Sequence, residues 1–247
     1  MFLRAMGHVL WPLDGTSSAQ TRYSIRLLCF WFARSLLERH FRRLGRPLDI
    51  LEVGVGGDAE LRAFIGAQNW IARWDGLDVN VPAGQSELYD EFFEADIEQD
   101  LVLPRTYDAV VLSHVLEHLL EPEAAMARLS KALAAGGVLI GGSPTMPSTI
   151  GPVRERFLRR KNRGVPVTAH RHMSVITPSR IRRVARDCSL EPELIAGTFF
   201  IRSSGSFLEN YAAWIRANLA WGAAFPSLGG ELYFSLRKPA FAFSERS

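Results

Sequence analysis

The run Asp49-Ile-Leu-Glu52-Val-Gly54-Val-Gly56-Gly57-Asp58 carries the strongest structural signal in this chain. An apolar strand over Leu48–Val53 runs into a glycine-rich turn, and an acid stands two residues before the first glycine. Glycine turns tightly and has no Cβ, so backbone N–H groups there can come close to a ligand. The same run also serves for chain reversal and packing. Its meaning therefore depends on the residues downstream.

On both sides of this run, the spacing predicts strands alternating with helices. Arg22–Leu44 carries an apolar face with arginines between, and Gly45 and Pro47 end it. A helix is expected from about Asp58 to Ala67, with Asp58 as a cap or in its first turn. Ile71–Val79 reads as a second strand carrying Asp78, and Phe92–Ile97 as a short third strand carrying Asp96. Tyr107–Ser113 is nearly all apolar, the pattern of a strand covered on both faces. A helix over Glu121–Leu133, the turn Gly136-Gly137 and a fifth strand over Val138–Gly142 come next. Thr177–Ser189 opens with Thr-Pro, a cap followed by a proline suited to the first turn. Leu194–Ile201 and Glu231–Leu236 are late strands, with an aromatic helical segment over Phe207–Phe225 between them.

This order predicts an α/β fold: a seven-stranded, mostly parallel twisted sheet with helices on both faces and the last strand antiparallel. Ligands of such sheets bind beyond the carboxyl ends of the strands, where Glu52, Gly54, Asp78, Asp96, Ser113 and His114 fall. The expectation is one domain over 1–247. Its additions are a cap helix at 21–45, a basic excursion at 144–172 and an aromatic insertion at 203–230.

Composition narrows the function classes. Lys+Arg 29 against Asp+Glu 26 gives a net charge of only +3, which argues against a nucleic-acid partner. Cys29 and Cys188 are the only cysteines, and no Cys/His cluster has metal-ligand spacing, so no metal is expected. There is no signal-peptide pattern, and no stretch approaches the roughly 18 uninterrupted apolar residues of a membrane span. A cytoplasmic location is the expectation. The Trp-Phe-Arg content of the first helix and the later basic run also allow peripheral contact with the inner face of a membrane.

Five segments in this order and spacing resemble the class I S-adenosylmethionine-dependent methyltransferases, particularly the UbiG/type-11 small-molecule group. They are Leu51-Glu-Val-Gly-Val-Gly-Gly57, Gly76-Leu-Asp78, Ala95-Asp-Ile97, Tyr107-Asp-Ala-Val-Val-Leu-Ser-His-Val-Leu-Glu-His118 and Leu133-Ala-Ala-Gly-Gly-Val-Leu139. The resemblance implies S-adenosylmethionine as cofactor and S-adenosylhomocysteine as product. It implies close backbone approach at Gly54 and Gly56, with Glu52 beneath the amino-acid portion. Asp78 would bind the ribose hydroxyls, Asp96 the adenine amino group with Ile97 beside the ring, and Ser113 and His114 the methionine side. Two positions depart from the family: Asp58 stands where a third alternating glycine is frequent, and Pro144-Thr145 where Pro-Asn is frequent.

Two other readings stay open. Gly54-x-Gly56-x-x-Ala59 followed by Asp78 also fits a dinucleotide fingerprint, as in an NAD(P)-binding oxidoreductase, although Glu52 is badly placed beneath an anionic pyrophosphate. A scaffold that binds the cofactor without transferring a methyl group is the other. If the methyl acceptor is a hydroxyl, a base must take its proton, and histidine suits that role near neutral pH. His172 is the first choice and His114, near the cofactor by analogy, the second, and methyl transfer to an acceptor oxygen is the expectation. Arg154, Arg156, Arg159, Arg160, Lys161 and Arg163 against Glu155 concentrate five net positive charges in ten residues. Such a run suits a solvated face, or recruits an acidic, lipid-linked or glycan-linked small-molecule acceptor. The aromatic segment over 207–225 either roofs the acceptor pocket or belongs to the core.

Overall fold

The computed structural model describes residues 25–56, 59–81, 84, 86–164, 171–198 and 212–240. Helix α1 (Ile25–Leu44) precedes β1 (Leu48–Val53), α2 (Glu60–Ile65), β2 (Ile71–Asp78), β3 (Phe92–Glu94) and β4 (Tyr107–Ser113). Then come α3 (Pro122–Ala132), β5 (Leu133–Pro144), α4 (Gly151–Lys161), α5 (Pro178–Asp187), β6 (Glu191–Thr198), α6 (Ala212–Ala224) and β7 (Glu231–Arg237). The sheet order is β3-β2-β1-β4-β5-β7-β6. Strands β1 to β5 pair in parallel, and β7 runs antiparallel to both β5 and β6. This is the expected seven-stranded Rossmann-like architecture.

Successive side chains of a strand point to opposite faces, and the central strands are apolar on both. Ile50, Val111 and Ile140 belong to one core with Leu28, Phe32 and Leu37 of α1. Leu51, Val110 and Leu139 belong to a second core with Met126 and Leu129 of α3 and Ile181 and Val184 of α5. Burying each large apolar side chain contributes about 2 kcal/mol, which is why the middle of β4 carries only apolar residues up to Ser113. The sheet order reverses beside β1, whose neighbours are β2 and β4. A crevice opens at such a switch point, beyond the carboxyl ends of the strands.

Several boundaries differ from expectation for local reasons. Strand β3 stops at Glu94, because Asp96 Oδ1 accepts a hydrogen bond from Glu98 N at 2.8 Å and turns the chain. Strand β5 begins at Leu133: its register against β4 jumps from Tyr107↔Leu133 to Ala109↔Val138, so the expected Gly136-Gly137 turn is an irregularity inside the strand. Helix α2 starts at Glu60 after Ala59 in a left-handed conformation (φ 44°); the expected cap Asp58 lies outside the described residues. Helix α5 starts as expected, with Thr177 Oγ1 accepting from Arg180 N at 3.2 Å and Pro178 in the first turn.

The aromatic segment is a cover for β6. A Cβ on Gly222 of α6 would stand 2.4 Å from Gly197 O, so helix and strand approach backbone to backbone, and Leu219 and Ala223 join the α1 core. Residues 199–211, which include the start of that segment, lie outside the described residues. Among the described residues no helix is long and apolar enough to cross a membrane.

Candidate functional site: the cavity at the strand ends

A cavity of about 500 Å³ opens where β1, β2 and β4 end, and every residue the sequence proposed for cofactor binding lines it: Glu52, Gly54, Gly56, Asp78, Asp96, Ile97, Ser113 and His114. Sequence reasoning missed Phe30 of α1, which reaches the wall from the helix covering the sheet. Nothing local to Phe30 marks it for the site; only the packing of α1 puts it there.

The glycine turn has the shape that close approach requires. Gly54 and Gly56 adopt left-handed φ values of 72° and 69°. A Cβ on Gly54 would stand 2.3 Å from Val115 Cγ2, a steric overlap, while one on Gly56 meets nothing within 4 Å. Gly56 N donates to Asp78 Oδ2 at 3.0 Å, and Asn80 N donates to Asp78 Oδ1 at 3.2 Å. Asp78 thus ties the glycine turn to the end of β2 while lining the cavity.

Glu52 is buried on β1, with Trp74 Nε1 and Tyr89 OH both donating to its Oε2, at 3.0 and 3.1 Å. Burial pushes its pKa up; the Trp74 and Tyr89 hydrogen bonds oppose the rise only in part, and it settles at about 7. Both donors are neutral. Among the described residues the carboxylate has dipoles but no cation in hydrogen-bond contact.

His114 follows β4 in a left-handed conformation, φ 55°, which a non-glycine residue holds only at a cost. Its Nδ1 lies 3.2 Å from Glu117 Oε1 and its Nε2 3.8 Å from Glu231 Oε2, both acids buried. Burial lowers its pKa, but hydrogen bonding to Cys29 and Glu117 and the charge of Glu117 outweigh that and raise it to about 10. Glu117 is disfavoured as an anion by burial, yet its bonds to His114 and to Ser143 Oγ (2.6 Å) hold its pKa below the usual carboxylate range. The two form an ion pair at neutral pH. His114 is then a proton donor and a fixed charge, with no free site to accept a proton.

His172 is exposed and is not on the wall of this cavity. It meets the site through His118, which does line it: the rings stand edge to face with centroids 5.0 Å apart. Asn162 Nδ2 donates to His172 O at 2.9 Å, and Met173 N and Ser174 N donate to Glu117 O. The chain after the basic excursion is thereby pinned against the turn that holds His114. Glu117, His118 and His172 bring possible metal-ligand atoms within 4.8 Å of one another. No spacing rule joins 117–118 to 172, so the sequence could not show this grouping. Both Glu117 oxygens are already engaged by His114 and Ser143.

Within the basic excursion Gly151–Lys161 folds as α4, and residues 165–170 lie outside the described residues. Arg159 donates to Leu120 O at 2.7 Å, and Arg154 lies over the ring of Phe157. The cations therefore fan around a helix, and none of them lines the main cavity.

A parallel sheet reversing beside β1, with acids at the tips of its first strands and a histidine after β4, is the Rossmann-like arrangement of the class I methyltransferases. The chain belongs to the methyltransferase domain family, whose model it matches over residues 23–193, and it is an enzyme of that class. Among curated proteins none matches it.

Solved structures share the fold. A candidate sarcosine dimethylglycine methyltransferase from Galdieria sulphuraria superposes with a TM-score of 0.57 at 14% identity, over 85% of this chain and 86% of that one. The plantazolicin methyltransferase BpumL, in complex with a pentazolic desmethyl analogue and S-adenosylhomocysteine, gives 0.55 at 14% identity over 96% of each chain. The Burkholderia thailandensis 1,6-didemethyltoxoflavin N1-methyltransferase, with its substrate and S-adenosylhomocysteine bound, gives 0.52 at 14% identity over 96% and 89%.

Proposed function

We propose that this chain transfers a methyl group from S-adenosylmethionine to a small organic acceptor. The observation that carries the reading is the gathering of Glu52, Asp78, Asp96 and His114 around one cavity at the switch point of the sheet. The residues fit the cofactor on their own chemistry. The space beside Gly56 is open, with nothing within 4 Å of where a Cβ would stand, and two half-buried carboxylates at neighbouring strand tips can accept from a diol and from an amino group. The buried Glu52, poised at about 7, would be held ionised by an ammonium. That same acid is badly matched to a pyrophosphate, which disfavours the dinucleotide reading.

In this assignment Asp78 holds the ribose hydroxyls, Asp96 the adenine amino group with Ile97 against the ring, and Glu52 the ammonium of the methionine part. Ser113 and His114 line the sulfur end. When bound, S-adenosylmethionine supplies an electrophilic methyl group on a sulfonium. The protein's part is to align the acceptor with the S–CH₃ bond and keep water out. Transfer of that methyl group would return the S–C bonding pair to sulfur, so the residues that would hold the donor, Glu52, Asp78 and Asp96, would also hold S-adenosylhomocysteine. His114 and Glu117, neutral as a pair, do not repel the sulfonium. An acceptor hydroxyl would need another base, and His172 is the residue proposed for it; an uncharged amine acceptor needs none before transfer. The two S-adenosylhomocysteine-bound neighbours hold a pentazolic desmethyl analogue and 1,6-didemethyltoxoflavin, which supports an organic acceptor over a nucleic acid. Membership of the UbiG/type-11 group is supported by the five sequence segments around Glu52, Asp78, Asp96, His114 and Gly137, and a cytoplasmic location is proposed with it.

Calorimetric titration with S-adenosylmethionine and S-adenosylhomocysteine tests the reading, with NADH as control. Micromolar binding lost in Asp78→Ala and retained in part in Asp78→Asn is expected. Binding of NADH, or of no ligand by folded protein, refutes it. Turnover against an acceptor pool, lost in His172→Ala with cofactor binding intact, separates an enzyme with an acceptor base from a scaffold.

A further inference from the structure

A second cavity, of about 430 Å³, opens between α4 and the first half of α5. Its wall carries four guanidinium groups, those of Arg156, Arg159, Arg180 and Arg183. It also carries a chain of three hydroxyls: Ser148 Oγ lies 2.7 Å from Ser179 Oγ, which lies 3.1 Å from Thr177 Oγ1.

Part of this cluster has a structural task. Arg180 reaches Glu123 of α3 at 2.7 Å and Glu155 of α4 at 2.6 Å, and so fastens three helices. Glu155 is fully used: it also pairs with Arg159 at 2.8 Å and accepts from Val175 N at 2.9 Å. The fastening needs one arginine and its two acids. It does not need Arg156, which pairs with no acid among the described residues, or Arg183, whose half-exposed side chain merely adds a 2.9 Å contact to Glu123. Four guanidinium groups against Glu123 and Glu155 leave two positive charges around a concave, hydroxyl-lined space.

We propose that the α4–α5 cavity binds a phosphoryl group, as a phosphate monoester or diphosphate. Its lining offers charge-assisted donors on two sides and hydroxyl donors between them, with its one acid neutralised from within. A guanidinium fork matches phosphate oxygens in pairs, and a dianion balances the two uncompensated charges. The inference does not depend on methyl transfer. If the phosphoryl group belongs to the acceptor, the site supplies the handle that the basic excursion suggested, with α5 contributing half of the charge.

The test titrates the full chain with inorganic pyrophosphate at low salt. Saturable binding is expected, weakened about tenfold by Arg156→Ala and again by Arg183→Ala. Arg154→Ala, on the same helix but outside the cavity, should leave it unchanged. Arg156→Lys should fall between, because it keeps the charge and loses the fork. Malonate binding as tightly as pyrophosphate would overturn the phosphoryl assignment, and equal weakening by Arg154→Ala would overturn the cavity as the site. Ile150, Val153 and Phe157 are exposed on and beside α4, so phosphatidylcholine vesicles with and without phosphatidic acid form a second arm. Arg156-dependent sedimentation with phosphatidic acid and no heat from pyrophosphate would assign the phosphoryl group to a lipid. Absence of both refutes the proposal. S-adenosylhomocysteine binding, measured on the same variants, should not change, so the cofactor assignment stands or falls separately.

Discussion

Glu52→Gln should make the ligand-free protein more stable and a poorer binder of S-adenosylhomocysteine. In the folded chain the carboxyl titrates at about 7 against an ordinary value of 4.5. Between those limits the native state keeps a proton that the unfolded state has lost. Stability therefore falls as pH rises from 4.5, and the loss is complete above 7. The rise corresponds to about 3 kcal/mol at pH 8 and less than about 1 kcal/mol at pH 5. Glutamine has the same shape, and its carbonyl oxygen can keep both hydrogen bonds, from Trp74 and Tyr89. Burying its amide offsets part of the gain, leaving about 2 kcal/mol at pH 8. For a chain of this length that is a rise in Tm of about 4–8 °C. Thermal unfolding of both proteins at pH 5 and pH 8 should show a difference that is small at the first and full at the second. S-adenosylhomocysteine affinity should drop about tenfold or more as a buried charge contact is lost. A variant that melts at or below the parent at pH 8, or a difference that ignores pH, would contradict the linkage between burial and charge at this site.

Gly54→Ala should cost about 2–4 kcal/mol in urea unfolding, from overlap with Val115 added to a left-handed φ, whereas Gly56→Ala should cost only about 1 kcal/mol because its surroundings are open. Arg180→Ala should cost about 2–4 kcal/mol by removing the tie between α3 and α4, and equal stability of the two proteins would show the tie to be idle. Burial opposes ionisation of Glu123, but its bonds to Arg180 hold its pKa at about 2; its stabilising contribution is present above 4.5 and lost toward pH 2, so the cost of Arg180→Ala should shrink on acidification. His114→Gln should cost roughly 2 kcal/mol at pH 6 by leaving Glu117 without its cation. The His114 pKa is raised from 6.5 to about 10, so its contribution is whole below 6.5 and lost as pH climbs to 10, and the gap between His114→Gln and the parent should close over that range.

The sheet was readable because its signal is local: apolar strands, glycine turns and strand-end acids recur at a spacing that only a parallel sheet accommodates. The walls of the cavity followed from the same rule, since the strand tips of such a sheet share one edge. The chemistry of those walls was less accessible. Trp74 and Tyr89 meet Glu52 from 22 and 37 residues away, and Cys29 of α1 meets Ser113 at 2.9 Å across 84. Those pairings depend on helix and loop packing, which periodicity does not encode. His172 illustrates the limit from the other side. Its place ahead of α5 suggested access to an acceptor, and packing sets it behind His118 at the rim. The basic run was likewise visible as composition, whereas its partition into a fastening and an uncompensated pair of charges required Glu123 and Arg180, which lie on other helices.

Two glutamates of the same cavity region shift in opposite directions, and the contrast says what each awaits. Glu117 is as buried as Glu52, and both accept two hydrogen bonds. Desolvation therefore does not distinguish them. The distinction is the formal charge of the donor: Glu117 faces an imidazolium, and its pKa falls, whereas Glu52 faces an indole and a phenol, and its pKa rises. A buried acid supplied with its own cation is a finished structural element that positions His114. A buried acid supplied only with neutral donors carries a cost of about 3 kcal/mol when ionised near pH 8, and a ligand ammonium removes that cost on binding. On the proposed assignment of Glu52 to the cofactor's ammonium, the affinity gained there is stability the fold gives up, which is why the same substitution should raise Tm and weaken cofactor binding together.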